Sequence, residues 1–413
     1  MDKIISPKFG IQYLYILLML SFTFQIAGEL PIVRRHYIFW LVGFGFALHY
    51  ASKYFSRPAT SAIIAYLFFV WFNFLTRDVY FSKVMNCVEE TICFIIPITM
   101  LYYLYSKNDK PLFYWVLVVF SFFLIESSIV SFWADNLFPG ILRLESNKES
   151  ALANEAIIGP FRRIGLSSYS LPHALPVIIP GLVYLIKQSK IKVKIPWIIV
   201  LIAALVLVYV SGSTTAFLLG GLVLVLSILV SANNRGASKS IIFITVLIIP
   251  FVFSQELQLW IIRLLQSYVP DDSLFTRKLF DMEYSILYGD TEGTVGNRTL
   301  LYQQSFDGFF SSPIIGTNGN IGGHAALLDR LATLGIVGIL PLLYFLYYQV
   351  KFTIKNISKE KRAFYYLGLA AGLVMMSVKS MFGWEMWFCV LVMLPGILWW
   401  SNNDVTTKDY IKK

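Results

Sequence analysis

His324 and two charged residues after it form the segment of the sequence with the clearest potential for chemistry. Asp329 lies five residues after His324 and Arg330 six, which is about one and a half turns further along a helix. An imidazole at the mouth of a helix can take a proton from a hydroxyl group near neutral pH. A histidine that only caps the helix fits the same position, so the residue types alone leave both interpretations open.

A pair of adjacent arginines marks a second candidate segment. Arg162 and Arg163 are flanked by glycine and serine in Gly159-Pro160-Phe161-Arg162-Arg163-Ile164-Gly165-Leu166-Ser167-Ser168. Guanidinium groups make planar, bidentate hydrogen bonds with phosphate oxygens. The segment therefore predicts a phosphate site, and binding to lipid headgroups is the alternative.

Common motifs of soluble catalysts and of metal sites are missing from the sequence. It contains no P-loop, no Gly-x-Ser-x-Gly elbow and no His-Glu-x-x-His segment. Cys87, Cys93 and Cys389 all lie in apolar stretches and have no metal-ligand spacing. We therefore predict no metal, no cofactor and no disulfide framework.

The composition indicates which elements must position these residues. Of the 413 residues, 57% are hydrophobic and only 14% are charged, whereas a soluble domain has about 25% charged residues. A helix needs about 20 mostly apolar residues to cross a bilayer. The apolar runs predict an all-α polytopic membrane protein with about 12 transmembrane helices, at 9–29, 37–52, 60–76, 84–105, 112–134, 171–186, 195–211, 214–230, 240–254, 325–350, 363–381 and 385–400.

The distribution of lysine and arginine predicts the orientation of these helices. If both termini are cytoplasmic, the short inner segments are richer in Lys and Arg than the longer outer ones, as the positive-inside rule requires. The net charge of +10 is then mainly a topology signal, and it does not indicate nucleic-acid binding.

The same topology divides the chain and places two long segments outside the membrane. We predict five helices in 1–134, an extracytoplasmic loop at 135–170, four helices in 171–254, a large extracytoplasmic loop at 255–324, and three helices with a cytoplasmic tail in 325–413. Within the large loop, residues 257–265 predict an amphipathic helix on the membrane surface.

Charged residues inside the predicted helices lie on the outer side. They predict a polar cavity that opens outward, with ion pairs between helices as the alternative. These residues are Glu89, Glu90, Glu126, Asp329, Arg330, Lys379 and Glu385.

Three short patterns lie next to the predicted outer loops. They are the turn Pro313-Ile314-Ile315-Gly316, His324 with the run Leu331-Ala332-Thr333-Leu334-Gly335-Ile336-Val337-Gly338, and Arg162 or Arg163 with Gly165. Together with the number and orientation of the helices, they resemble the O-antigen polymerase and O-antigen ligase superfamily of bacterial envelope glycan assembly.

This resemblance implies a GT-C-like fold and a glycosyl transfer on the outer side of the bacterial inner membrane, without a metal. The donor would be an oligosaccharide on polyprenyl diphosphate, and the partners would be membrane lipids, a chain-length regulator and a flippase. His324 would act on the acceptor hydroxyl. Arg298, with Arg162 or Arg163, would bind the diphosphate. Asp329 would orient the imidazole or pair with Arg330, and both would lie at the substrate.

Two departures from the family pattern bear on the choice of reaction. Many members have an arginine after a Ser-x-Ser, where this chain has Ser211-Gly212-Ser213-Thr214, and the family histidine is often followed by Asn, where this chain has Ala325. Both departures favour a polymerase of lipid-linked repeat units over a ligase that transfers the glycan to lipid A-core. A transporter of lipid-linked glycan is the third hypothesis.

Overall fold

Every regular element in the described part of the chain is helical. The computed structural model describes residues 55–76, 81–146, 153–230, 255–270, 294–317, 325–379 and 383–401, with Gly45, Ile321 and the short pieces 273, 276–277, 279–280, 283–284 and 287.

Fifteen α-helices are numbered in chain order over these described ranges. A 3₁₀ helix at Leu175–Val177 joins α6 to α7, another at Lys359–Lys361 precedes α13, and a π-helical turn at Cys389–Met393 joins α14 to α15. The helices are α1 Arg57–Thr76, α2 Phe81–Lys107, α3 Lys110–Leu137, α4 Ile141–Ser146, α5 Glu155–Arg163, α6 Leu171–Ala174, α7 Ile179–Gln188, α8 Ile191–Val210, α9 Thr214–Leu229, α10 Gln255–Gln266, α11 Thr294–Ser311, α12 Ala326–Asn356, α13 Arg362–Val378, α14 Trp384–Phe388 and α15 Leu394–Trp400.

Four of the described helices are long and apolar enough to cross a membrane. They are Val84–Lys107 in α2, α3, Val193–Val210 in α8, and α12. A fifth span results if the pair Leu171–Val177 and Ile179–Gln188, bent by 48°, crosses as one unit. The all-α, membrane-type architecture is thereby confirmed, while the count of about 12 helices and the GT-C-like fold remain predictions.

Nine of the predicted apolar segments coincide with helices of the structure. The break predicted at residues 211–215 falls between α8 and α9, where Ser213 accepts a hydrogen bond from the Ala216 amide and so caps α9. The predicted segments 9–29, 37–52 and 240–254 lie outside the described residues, apart from Gly45.

Successive long helices run between two ends of the bundle. We call one the lysine end, marked by Lys107, Lys110, Lys187 and Lys361. The other is the loop end, marked by Gly165, Asp329 and Glu385. Aromatic contacts align the helices at the lysine end: Tyr105 stacks on Trp399 at 4.7 Å and Tyr114 on Trp400 at 5.7 Å.

Two lysines at the lysine end bind the carbonyl ends of neighbouring helices. Lys187 Nζ donates to the carbonyl oxygens of Ser227, Ile228 and Val230, at 2.6 to 3.0 Å, where α9 ends. Lys361, only 1% exposed, donates to Leu398 O and Ser401 Oγ where α15 ends. A cation at a helix C-terminus donates to carbonyl groups that have no partner within the helix, and its charge interacts favourably with the helix dipole. Each of these lysines therefore stabilises the contact between two helix ends.

An aromatic cluster joins four helices in the middle of the bundle. Tyr66 of α1 stacks on Phe94 of α2 with ring centroids 3.6 Å apart, and both rings contact Phe345 of α12 and Trp387 of α14. All four side chains are buried. Aromatic rings contribute large buried areas, and tilted or edge-on pairs add to that gain, so the cluster fixes α1, α2, α12 and α14 against one another beneath the loop end.

Exposed aromatic residues on α3 mark a width close to that of a bilayer. Tyr114 and Trp115 are exposed near one end of the helix, and Phe132 and Trp133 near the other. Eighteen residues separate the two pairs, which is about 27 Å of α-helix against a hydrocarbon thickness of about 30 Å. Trp and Tyr side chains, such as Trp115 and Trp133 here, prefer both membrane interfaces.

Helix α10 is the amphipathic helix predicted in the large loop. Ile262 is buried against Leu279, and Leu265 packs beside them. Trp260, Leu264 and Tyr268 form an exposed stripe at helical spacing. Two polar side chains of α10 bind Glu283, which lies later in the chain. Arg263 Nε donates to Glu283 Oε1 at 2.7 Å and Gln266 Nε2 donates to Glu283 Oε2 at 2.9 Å.

The Glu283 contact predicts a pH-dependent stability of α10. Hydrogen bonds from Arg263 and Gln266 hold the pKa of Glu283 below its ordinary value. A lowered pKa stabilises the fold above the unfolded value of about 4.3, and this stabilisation is lost as pH falls through the folded pKa. We expect the amides of α10 to lose up to about 1 kcal/mol of protection in this window, measured by hydrogen exchange corrected for intrinsic rates. Glu283→Gln should remove the pH dependence, and Glu256→Gln on the same helix should retain it; equal profiles for both variants would contradict the assignment.

Candidate functional site at the loop end

A backbone junction at the loop end joins the two parts of the sequence pattern around His324. Helix α12 is interrupted at Gly335, and the turn Pro313–Gly316 lies against this interruption. Ile336 N donates to Pro313 O at 2.9 Å and Val337 N donates to Ile314 O at 3.0 Å. In return, Thr317 N donates to Ala332 O at 3.0 Å. We call the contact between 313–317 and 332–337 the junction.

The junction satisfies backbone groups that the interrupted helix releases. In an unbroken helix, the amides of Ile336 and Val337 would bond to the carbonyls of Ala332 and Thr333, four residues earlier. Here they bond to the turn instead, and Ala332 O accepts from Thr317 N. Unpaired backbone groups are costly away from water, so the turn and the break stabilise each other.

Two glycines allow the backbones to approach this closely. Gly335 has φ 62° and ψ −170°, and a Cβ there would lie 2.5 Å from Gly316 N and from Ile314 O. Gly316 has φ 76°, and a Cβ there would overlap the Thr333 carbonyl. Both glycines belong to the patterns identified in the sequence. In the structure each has a positive φ and lies in contact with backbone atoms, so neither position has room for a side chain.

Asp329 holds the start of α12. Its Oδ1 accepts from Ser305 Oγ of α11 at 2.7 Å, and its Oδ2 accepts from the Ala325 amide at 3.0 Å. That amide belongs to the peptide bond that follows His324. His324 itself lies outside the described residues, but Asp329 fixes the chain at its immediate neighbour.

Arg330 forms an ion pair between helices. Its Nη2 donates to Oε2 of Glu90 on α2, and its guanidinium lies 5.3 Å from the ring centre of Phe69 on α1. The Arg330 and Glu90 side chains are only 21% and 11% exposed. Pairing between helices was the structural alternative for the charged residues inside the spans, and for Arg330 it is what the structure contains.

Glu385, one of the charged residues that predicted an outward-opening cavity, forms the centre of a second polar group. Its Oε1 accepts from Ser168 Oγ at 3.0 Å and from Ser170 Oγ at 2.6 Å. Ser168 Oγ also accepts from the Leu171 amide at the start of α6. His173, one turn on, is fully buried and contacts Tyr169 O through Nδ1 at 2.8 Å. A carboxylate and two hydroxyls thus converge where α6 and α14 begin.

The segment that leads to this group, residues 165–168, lies along serine side chains of α3. Ser127 Oγ donates to Gly165 O at 2.8 Å, and Ser167 N donates to Ser131 Oγ at 3.2 Å. The Glu126 side chain lies against Gly165. The segment predicted as part of a loop is therefore buried within the helices, where its backbone groups find partners on α3.

The predicted arginines lie in the last turn of α5, directly before this segment. Arg162 pairs with Glu155 of its own helix α5 at 3.1 Å, and Arg163 ends the helix with an exposed side chain. Phe161 holds α5 against Trp133 and Phe138, with ring centres 5.4 and 5.9 Å apart. Arg298 lies in α11, and its side chain is outside the described atoms.

Arg143 is a further cation of the loop end that the predicted site omitted. Its Cδ lies 3.5 Å from where a Cβ on Gly212 would be, so it packs against the Ser211-Gly212-Ser213 turn between α8 and α9. That turn lacks the arginine present in many members of the resembled family. The sequence offers no local signal for the contact, because the two positions are far apart in the chain.

The predicted site residues fall into two groups with different neighbours. Asp329 and Arg330 share α12 and contact α11 and α2, whereas Arg162 and Arg163 end α5. Glu385 is in the first turn of α14, which packs against α2 and α6. Within the described ranges, no three His, Cys, Asp or Glu side chains are close enough to share a metal ion. The arrangement can bind hydroxyl groups through carboxylates and anions through guanidinium groups.

No family model matches the chain, and no curated protein or solved structure shows significant similarity to it.

Proposed function

We propose that this chain is a polymerase of O-antigen or capsular polysaccharide. It joins polyprenyl-diphosphate-linked oligosaccharide repeat units on the outer side of a bacterial inner membrane. The junction between 313–317 and 332–337 is the observation that carries the proposal, because it brings together two of the three segments on which the family resemblance rests. Asp329 anchors the residue after His324 beside that junction.

The proposed reaction is a direct transfer at the anomeric carbon of the donor. A hydroxyl oxygen of the acceptor sugar bonds to that carbon, the bond from the carbon to the diphosphate oxygen breaks, and polyprenyl diphosphate leaves with the electron pair. His324 takes the hydroxyl proton. Arg298, with Arg162 or Arg163, binds the diphosphate and stabilises its growing charge in a partly dry site.

Asp329 acts as a positioning residue in this proposal. Its carboxylate is engaged by Ser305 and by the Ala325 amide, so it fixes the direction in which the chain approaches α12. Arg330, paired with Glu90, supports the same region from below. Glu385, with its two serine hydroxyls, adds a hydroxyl-binding group within the same end of the bundle.

The different charged residues at the two ends of the bundle support the predicted orientation of the helices in the membrane. Lys187 and Lys361 lie at the lysine end and bind helix carbonyls, whereas the carboxylates and arginines of the candidate site lie at the loop end. Under the positive-inside rule, the lysine end faces the cytoplasm.

The proposal predicts that His324→Ala and Arg298→Ala each abolish polymer. Each substitution removes a group that acts only as charge moves in the transition state, so product should fall about 100-fold or more. The measurement is a gel of lipopolysaccharide and capsule from a strain that lacks the gene and is complemented by each variant, with membrane levels checked by immunoblot.

Arg277→Ala is the matched control, since Arg277 is an exposed arginine of the same loop. It should restore the full ladder. A collapse to core plus one repeat, with single lipid-linked repeats persisting, is the result expected for a polymerase. Polymer held on the polyprenyl carrier with a bare core would instead identify a ligase. Near-normal product from both site variants would overturn the assignments.

One observation favours transport of lipid-linked glycan as the second candidate. The pair Leu171–Val177 and Ile179–Gln188 is bent by 48°, and interrupted helices are frequent at transporter binding sites. Vesicles that contain the purified protein and a fluorescent lipid-linked glycan separate the two functions: movement of the lipid across the bilayer supports transport, and its absence together with a shortened ladder in cells supports polymerisation.

A further inference from the structure

The junction carries an apolar surface that continues the exposed face of α12. Ile314 and Ile315 are each 65% exposed, and Phe310, at the end of α11, is 72% exposed. The turn is hydrogen-bonded to Ile336 and Val337. These two residues begin an exposed apolar stripe on α12 that continues, at helical spacing, through Leu340, Leu343, Tyr344 and Tyr347.

The position of the junction along α12 places it below the membrane surface. Tyr347 and Lys351 mark the opposite interface, where Lys351 Nζ lies 5.9 Å from the ring centre of Tyr347. Gly335 is 12 residues from Tyr347 and 16 from Lys351 in the sequence, which is about 18 and 24 Å of helix. Both lengths are shorter than the hydrocarbon thickness of about 30 Å, and any tilt of α12 shortens them further.

The backbone chemistry of the turn fits this depth. Non-helical backbone at membrane depth needs hydrogen-bond partners within the protein, because lipid offers none. Pro313 O and Ile314 O accept from α12, Gly316 N donates to Ser312 O, and Thr317 N donates to Ala332 O. Apolar side chains then point outward while the polar groups point toward the helix.

We propose that the end of α11 and the turn Pro313–Gly316 form a re-entrant element whose exposed side chains lie among the acyl chains of the outer leaflet. The occupant of this surface is bilayer lipid, because the surface is continuous with the lipid-facing stripe of a membrane-length helix. The proposal does not rest on the proposed catalytic function.

A single fluorescent label at the turn tests this placement. Ile315→Cys can be labelled selectively with an environment-sensitive fluorophore, because Cys87, Cys93 and Cys389 are all buried. The full chain is reconstituted in vesicles of phosphatidylcholine and phosphatidylglycerol. Nitroxide-bearing acyl chains should quench this label about two-fold more than they quench a label at an exposed aqueous position, and iodide should quench it weakly.

Gln303→Cys supplies the aqueous reference, since Gln303 is an exposed residue of α11 about two turns before Phe310. Its label should show the opposite pattern, with strong iodide quenching. Phe310→Cys is a second reporter in case Ile315→Cys does not fold. Iodide quenching at 315 or 310 equal to that at 303 would overturn the proposal. Quenching by neither agent would also overturn it, because another part of the chain would then cover the surface.

Discussion

Gly335→Ala is expected to prevent the protein from folding stably. The added Cβ would lie 2.5 Å from Gly316 N and from Ile314 O, both backbone atoms that cannot move aside without breaking the junction. The backbone at φ 62° and ψ −170° is also accessible essentially only to glycine. Strain and overlap together should cost about 3 kcal/mol or more. The readout is the yield and thermal midpoint of the detergent-solubilised protein, followed by size-exclusion chromatography.

Gly221→Ala is the matched control for this substitution. Gly221 lies within α9, and a Cβ there meets no atom within 4 Å. Alanine is favoured over glycine in a helix by about 1 kcal/mol, so this variant should be as stable as the unmodified protein or slightly more stable. Equal thermal midpoints for Gly335→Ala and Gly221→Ala would show that α12 is not interrupted as described.

Arg330→Met is also expected to be strongly destabilising. It leaves the Glu90 carboxylate enclosed without its partner, and removal of one member of a buried pair typically costs about 3–5 kcal/mol. The loss should be largely reversed in the double variant Glu90→Leu/Arg330→Met, since two apolar side chains need no partner there. The measurement is a double-variant cycle of unfolding free energies in detergent.

The surface pair on α5 provides the comparison for this cycle. Arg162 is 17% exposed, but its partner Glu155 is 50% exposed, so water can solvate that carboxylate when Arg162 is removed; pairs open to water contribute about 0–1 kcal/mol. Arg162→Met should therefore change stability little. Additive effects of the Glu90 and Arg330 substitutions would contradict a coupled, buried pair.

Local signals in the sequence predict the helices well. Long continuous apolar runs give the spans of α2, α3, α8 and α12, and Gly212 with its flanking serines gives the break before α9. The amphipathic spacing of residues 257–265 likewise predicts α10. These features depend on neighbours within one or two helical turns, so the sequence contains the information that determines them.

The contacts between helices at the loop end could not be predicted from such local signals. The run from Leu331 to Gly338 is mostly apolar and therefore predicts an unbroken helix. The interruption at Gly335 could not be predicted from this run, because it depends on a turn some twenty residues earlier. Arg330 was expected near substrate or beside Asp329, and its partner Glu90 is 240 residues away in the chain. The pairing of Arg162 with Glu155 likewise becomes visible only once 155–163 is known to be helical.

The separation of these contacts along the chain has a consequence for the order in which the loop end assembles during synthesis. The junction closes a short stretch of chain, so the entropy of bringing its two sides together is small, and it can form as soon as the first part of α12 has been made. The contact between Ser170 and Glu385 spans 215 residues and has to await the last helices. Until α14 has been made, the two serine hydroxyls lack their acceptor, so the hydroxyl-binding group can form only after the junction can already have closed.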